Sequence, residues 1–323
     1  MKSESKIVSD IQTELNLVPE SQGELSFLLP DIVVCGTDSV SQDADGDLVL
    51  KRSLSHTTSE LKLQLQGHTS LETVGLQVWA GALLMADYIL AEPSTFRGCI
   101  GLELGAGTGL AGLCLARVAK LTFLTDADTA VLQQLQANAS LNRHLYDNAE
   151  SLRVRRLDWS CGLPAQERQN LAASDASPQQ HVDDALVPGL QRNGDLLSWT
   201  EEDISELKQV QVLLAADVIY DVDLTEAFLE CSCCLLSQAA SSCCLYLSID
   251  KRFNFAVGDK EPMAHLYDHF MGTIEQRRRL GQASLHGRRL NLEAISQAFP
   301  IGRSKHLELW RFQLDHSGSH IAP

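Results

Sequence analysis

Four groups of residues in this chain have the types and spacings that chemistry needs. Glu103, Gly105, Gly107 and Gly109 make an E-x-G-x-G-x-G run that includes Ala106 and closes the apolar stretch Cys99–Leu104. Alternate glycines let a backbone turn sharply and approach a ligand, because no Cβ stands in the way. The Leu/Ala-rich segment after Gly109 has helical spacing, so free N–H groups at its start face whatever lies over the loop. A nucleotide-like ligand is the natural occupant. Asp126 ends the apolar run Leu121–Thr125, close to the spacing of roughly 20 residues at which a carboxylate meets ribose hydroxyls in parallel sheets. Its two oxygens suit two hydroxyl donors. Asp128 and Thr129 compete with it as caps of the following helix. Asp158 and Trp159 follow the third expected strand, Leu152–Leu157; an indole offers adenine a flat face, and a carboxylate accepts from an exocyclic amine. The buried run Val212–Ala216 ends in Asp217-Val218-Ile219-Tyr220, at the carboxyl edge where open α/β sheets bind ligands.

These residues require a particular scaffold. Strands are expected at Cys99–Leu104, Leu121–Asp126, Leu152–Leu157, Val212–Ala216 and Cys243–Asp250, short buried runs separated by helical patterns. Arg289–Ser296 and His306–Leu314 complete the set as a hairpin with one antiparallel member. Helices are expected at Val74–Leu90 with its entry loop, stopped before Pro93, and at Leu110–Ala119, Thr129–Leu141, Asp223–Gln238 and Pro262–Met271, with another starting at Thr200. The fold class is α/β: a Rossmann-like seven-strand sheet with helices on both faces. Residues 1–70 read as an acidic extension, its first part a flexible tail of about 25 residues. Ile32–Cys35 and Leu61–Leu65 then form a small β-appendage that helps shape substrate access. The main domain spans 71–316 and a tail 317–323. Residues 162–197 lack periodicity and exceed an ordinary connection, so a disordered insertion is expected.

The glycine spacing is G-x-G-x-G, not the dinucleotide fingerprint G-x-G-x-x-G, which argues against a dehydrogenase. With Glu103 ahead of it, the run resembles motif I of S-adenosylmethionine-dependent methyltransferases. Gly75-Leu76-Gln77-Val78-Trp79 before a small-residue helix, and Asp217-x-x-Tyr220 at the fourth strand, resemble the seven-strand protein lysine methyltransferases of methyltransferase family 16. That resemblance implies S-adenosylmethionine as cofactor, bordered by Trp79, Glu103, Gly105, Ala106, Gly107, Gly109, Asp126, Asp158, Trp159 and Ala216. It implies transfer of a methyl group to a lysine amine of a protein substrate, with Asp217 orienting the amine and Tyr220 walling the pocket or hydrogen-bonding Asp217. Lys251 and Arg252 resemble the family's basic residues after the fifth strand. Two alternatives stay open: a methyltransferase for another amine or for histidine, and a non-catalytic binding protein that keeps the cofactor fold.

Bulk properties narrow the partners. A formal net charge of −16 disfavours direct nucleic-acid binding and would steer a basic partner, a nucleic-acid-associated protein or a chaperone, toward the chain. No apolar run reaches the roughly 18 residues of a membrane span. The nine cysteines include adjacent pairs unlike a disulfide framework, and Cys231-x-x-Cys234 inside a helix reads as buried thiols, so no metal site is expected. Asp43–Asp47 reads as a solvated turn. The sequon at Asn138 is discounted for an intracellular monomer of the nucleus and cytoplasm. Arg277–Arg279 and Arg288-Arg289 read as solvated loops, with nuclear import a competing role for such patches.

Overall fold

The computed structural model describes residues 7–14, 22–30, 40–42, 48–50, 59–71, 73–146, 148–159, 197–254, 261–300 and 302–315. In chain order the strands are β1 (Gln22–Leu29), β2 (Val40–Gln42), β3 (Leu48–Leu50), β4 (Ser59–Gln66), β5 (Ile100–Leu104), β6 (Leu121–Asp126), β7 (Leu152–Arg156), β8 (Val212–Ala216), β9 (Cys244–Asp250), β10 (Ser284–Arg289) and β11 (Leu307–Asp315). The helices are α1 (Asp10–Glu14), α2 (Ala80–Ala91), α3 (Pro93–Phe96), α4 (Leu110–Ala116), α5 (Thr129–Leu141), α6 (Glu201–Leu207), α7 (Val222–Gln238) and α8 (His265–Arg279).

Seven strands form the central sheet in the order β10-β11-β9-β8-β5-β6-β7. β5 to β9 run parallel, and β11 lies antiparallel to both β9 and β10. The alternation inside each strand explains the two apolar layers, since successive side chains face opposite sides. Val212 and Leu214 of β8 join the core under α2, α4 and α5, whereas Leu213 and Ala215 join the core under α6, α7 and α8. Both faces are therefore covered, as the near-continuous apolar runs require.

The last strands differ from the expected hairpin. The penultimate strand is Ser284–Arg289, and the expected strand Arg289–Ser296 is instead mostly a turn around Leu292–Ala294. Asn291 caps that turn by accepting from Glu293 N at 3.1 Å, a local side-chain bond that competes with strand pairing. Gly281, at φ 66°, turns the chain out of α8 so that β10 can start early. Arg277–Arg279 form the last turn of α8, and Arg288-Arg289 lie in β10, so neither is a loop. Arg278 and Arg279 both pair with Glu275.

Part of residues 1–70 packs on the main sheet. β1 and β4 form an antiparallel pair in which Phe27, Leu29, Leu61, Leu63 and Leu65 join the α2/α4/α5 core. Ile32–Cys35, Asp43–Asp47 and residues 160–196 lie outside the described residues. Described chain resumes at Leu197, which accepts from Arg156 N at 2.9 Å beside β7, and Thr200 with Asp203 forms the capping box that starts α6. Among the described residues no helix is long and apolar enough to cross a membrane, and no cluster of side chains could hold a metal ion.

Candidate active site

The carboxyl ends of β5, β6, β7 and β8 meet at a cavity of about 380 Å³. It gathers Trp79, Glu103, Gly105, Ala106, Gly107, Asp126, Asp158, Trp159, Ala216, Asp217 and Tyr220, residues far apart in sequence. Gly109 is the exception among the expected cofactor residues, because it does not line the cavity. It caps α4 in the left-handed conformation (φ 87°), and a Cβ there would come 2.6 Å from Leu135 Cδ1 of α5. Its role is helix packing beneath the loop.

The glycine loop is shaped by backbone contacts. Gly105 has φ 66°, and a Cβ on it would meet Trp159 Cη2 at 2.9 Å; Gly107 has φ 54°, and a Cβ would meet Gly75 O at 2.9 Å. The entry loop of α2 is thus pressed against the glycine loop, which brings Trp79 to the cavity. Trp79 Nε1 donates to Val74 O at 2.9 Å. Glu103, almost fully buried, accepts from Gly112 N in the first turn of α4 at 2.9 Å, an acid placed at a helix N-terminus. Burial pushes its carboxyl up to about 8, the Gly112 bond opposing and the Asp126 charge adding to that rise.

Asp128, not Asp126, caps α5, accepting from Ala130 N and Val131 N. One Asp126 oxygen accepts from Gly107 N at 3.1 Å and the other from Ala127 N at 2.8 Å. These bonds orient the carboxylate and leave lone pairs for further donors. Burial raises its pKa against these hydrogen bonds. Trp159 packs edge-on against Phe228, and its indole N–H is buried without a partner among the described residues. A glycine cradle that a Cβ would fill, an oriented acid and an unpaired indole donor fit a nucleoside such as the adenosine of S-adenosylmethionine.

Asp217 has more structural work than its sequence position implies. Its oxygens accept from Gly81 N at 2.7 Å and from Asp250 N at 2.8 Å, and its own N–H donates to Ser248 O at 2.9 Å. Ser248 Oγ closes the ring by donating to Gly81 O at 2.8 Å. The carboxylate thereby ties the end of β8 to the start of α2 and the end of β9. Asp217 holds φ 55°, the one positive φ at a non-glycine among the described residues, a conformation that costs energy and clusters at functional sites. Gly81 is required there, since a Cβ would come 2.8 Å from Asp217 Cγ. Tyr220 walls the cavity and makes no hydrogen bond to Asp217. Burial, with the charges of Asp126 and Asp221, pushes its phenol up to about 12 against the opposing Arg252, so it keeps its proton at neutral pH.

Sequence reasoning missed Ile7, Leu71 and the ligand-facing place of Arg252, all of which line the cavity. Ile7 is brought there by a bridge to Thr69 and by Gln77, whose side chain accepts from Ser9 N and donates to Ile7 O and Thr69 Oγ1. Gln77 stands inside the Gly75–Trp79 stretch, a polar residue among apolar ones, which was the available signal.

A family model described as lysine methyltransferase matches residues 57–176. Methyltransferase-like protein 22 of Mus musculus is 35% identical over 263 residues, covering 80% of this chain and 60% of that protein. Its counterpart in Homo sapiens is 36% identical over 249 residues, covering 75% and 55%. Protein-lysine N-methyltransferase EEF2KMT of Homo sapiens is 36% identical over 75 residues, 23% of each chain. The chain therefore spans 55–60% of the length of the first two relatives.

Proposed function

Because the chain belongs to the lysine methyltransferase family, we propose that it is a protein-lysine N-methyltransferase that uses S-adenosylmethionine. The observation that carries the reading is the meeting of the glycine loop, Asp126 and Trp159 with Asp217 and Tyr220 in one cavity. S-adenosylmethionine supplies an electrophilic methyl group when bound. The residues of the chain must then present a neutral amine in line with it, because a protonated amine has no lone pair to donate. Lysine is protonated in water, with a pKa near 10.4, and apolar walls favour its neutral form. Asp217 fixes the mouth between β8, β9 and α2 and turns its remaining lone pairs to an entering ammonium. Tyr220, still protonated, limits the width of the channel, and water takes the released proton.

The substrate is a protein carrying the target lysine. The net charge of −16 supports a basic one, a nucleic-acid-associated protein or a chaperone, met by a monomer that binds neither nucleic acid nor membrane directly. The buried free cysteines support a reducing site of action, in nucleus and cytoplasm.

The test incubates the protein and a cell extract with methyl-labelled S-adenosylmethionine and locates the label by mass spectrometry. The expected result is label on a lysine of one or few proteins, lost with Gly105→Ala, which puts a Cβ against Trp159. Label on histidine or another amine would overturn the lysine assignment. Cofactor binding without any label would favour the binding-protein reading.

A further inference from the structure

The cavity is charged almost entirely one way. Asp126, Asp128, Asp158, Asp217 and Asp221 border it, and Arg252 is the one cation among its described lining residues. Arg252 follows β9, two positions beyond Asp250, whose N–H holds Asp217. Its guanidinium lies over the ring of Trp79, 4.7 Å from the centroid, so an exposed side chain is kept at one place by a cation–π contact. The neighbouring Lys251 is spent on Glu308 at 2.8 Å. Arg252 forms no hydrogen bond or ion pair with a carboxylate among the described residues, and its fork of N–H donors is available to a ligand.

Position in the sheet adds direction. Arg252 follows β9 and Asp126 ends β6, with β8 and β5 between them; three inter-strand steps of about 4.8 Å separate these strand ends by about 14 Å. The acid suited to the ribose therefore stands toward one end of the cavity and the lone cation toward the other. S-adenosylmethionine has the same polarity: adenosine at one end and, at the other, a methionyl group with the molecule's single carboxylate. We propose that Arg252, held on the Trp79 ring, binds that carboxylate and so sets the direction in which the cofactor lies. A planar guanidinium matches a carboxylate with two parallel hydrogen bonds, which an ammonium cannot reproduce. The inference rests on the reading of the cavity as an S-adenosylmethionine site.

The test is calorimetric titration of the full chain with S-adenosylmethionine and with decarboxylated S-adenosylmethionine, which lacks only the carboxylate. The wild type is expected to prefer the intact cofactor by about tenfold to hundredfold, the worth of a charge-assisted hydrogen-bonded pair. Arg252→Ala should bind both ligands alike, at the wild-type affinity for the decarboxylated one. Arg252→Lys, which keeps the charge, should retain part of the preference and gives the reading if the alanine variant does not fold. Equal wild-type affinities overturn the inference while leaving the cofactor site standing, as does an Arg252→Ala variant that weakens both ligands equally. A wild type that binds neither ligand overturns the cofactor site and this inference with it.

Discussion

Asp217 and Glu103 are both buried acids at helix N-termini, and their hydrogen bonds give them different tasks. Asp217 accepts a backbone N–H at each oxygen. In Asp217→Asn the amide nitrogen must face one of those donors, so the variant should lose about 1–3 kcal/mol of stability. Displacing the joint between β8 and α2 should also lower turnover by about 10²-fold, with cofactor affinity changed far less. Urea unfolding beside kinetics checks this, because an acid that served substrate charge alone would lower turnover without loss of stability. Glu103 titrates near 8 in the folded chain against an ordinary 4.5. Between those values the native state holds a proton that the unfolded chain has released, so its contribution to stability falls as pH rises through that window. Glu103→Gln still accepts from Gly112 N, and melting curves across the same window should show a shallower decline than in the wild type.

At the scale of elements, the β1/β4 pair and the glycine loop are joined through Asn138 of α5 and Asn142, which caps the end of that helix. Asn142 accepts from Lys62 N at 2.8 Å and donates to Lys62 O at 2.6 Å; Asn138 does the same with Gln64, at 2.7 and 3.1 Å. Their amides act as the strand that the edge of β4 lacks. Asn138 also donates to Thr108 O inside the glycine loop at 2.9 Å. Both side chains are fully buried, which also removes the Asn138 sequon from glycosylation in the folded chain. Each alanine variant should cost about 1–3 kcal/mol by leaving buried backbone groups unpaired. Asn138→Ala should in addition weaken cofactor binding several-fold, and Asn142→Ala should not; calorimetry and urea unfolding on both variants separate the effects. The closing strands are locked in a comparable way by Glu308 of β11, which accepts from Lys251, Arg289, Tyr267 and Trp310. Despite burial, those four partners hold its carboxyl down at about 2.

The whole molecule combines a strongly negative charge with a cavity bordered by acids. Such a field raises the encounter rate with a basic protein and is screened over about 10 Å at 0.1 M salt. For a basic substrate, kcat/KM should fall as salt rises while kcat at saturation changes little, as initial-rate measurements across ionic strength would show. A salt-independent kcat/KM would remove charge steering from the account of substrate choice.

The sequence by itself determined the parallel core of the sheet and the strand-end residues that line the cavity. β6 and α5 have the expected bounds, and the glycine loop, Asp126, Trp159, Asp217 and Tyr220 converge as their positions after strands require, while Trp79 enters from the start of α2. Apolar periodicity and glycine spacing are local properties, and in a parallel sheet the strand ends share one edge. Tertiary structure alone decided what depends on contacts between distant segments. Gly109 faces α5 because Leu135 packs there. Asp128 takes the cap and leaves Asp126 to the cavity. The penultimate strand starts at Ser284 because Asn291 folds the later segment into a turn. Asp217 becomes a joint, and Arg252 a cation on a tryptophan face, only when α2, β8 and β9 are brought together. Hydrogen bonds and ring contacts of that span leave no spacing in the chain to read, because their partners are chosen by the packed fold.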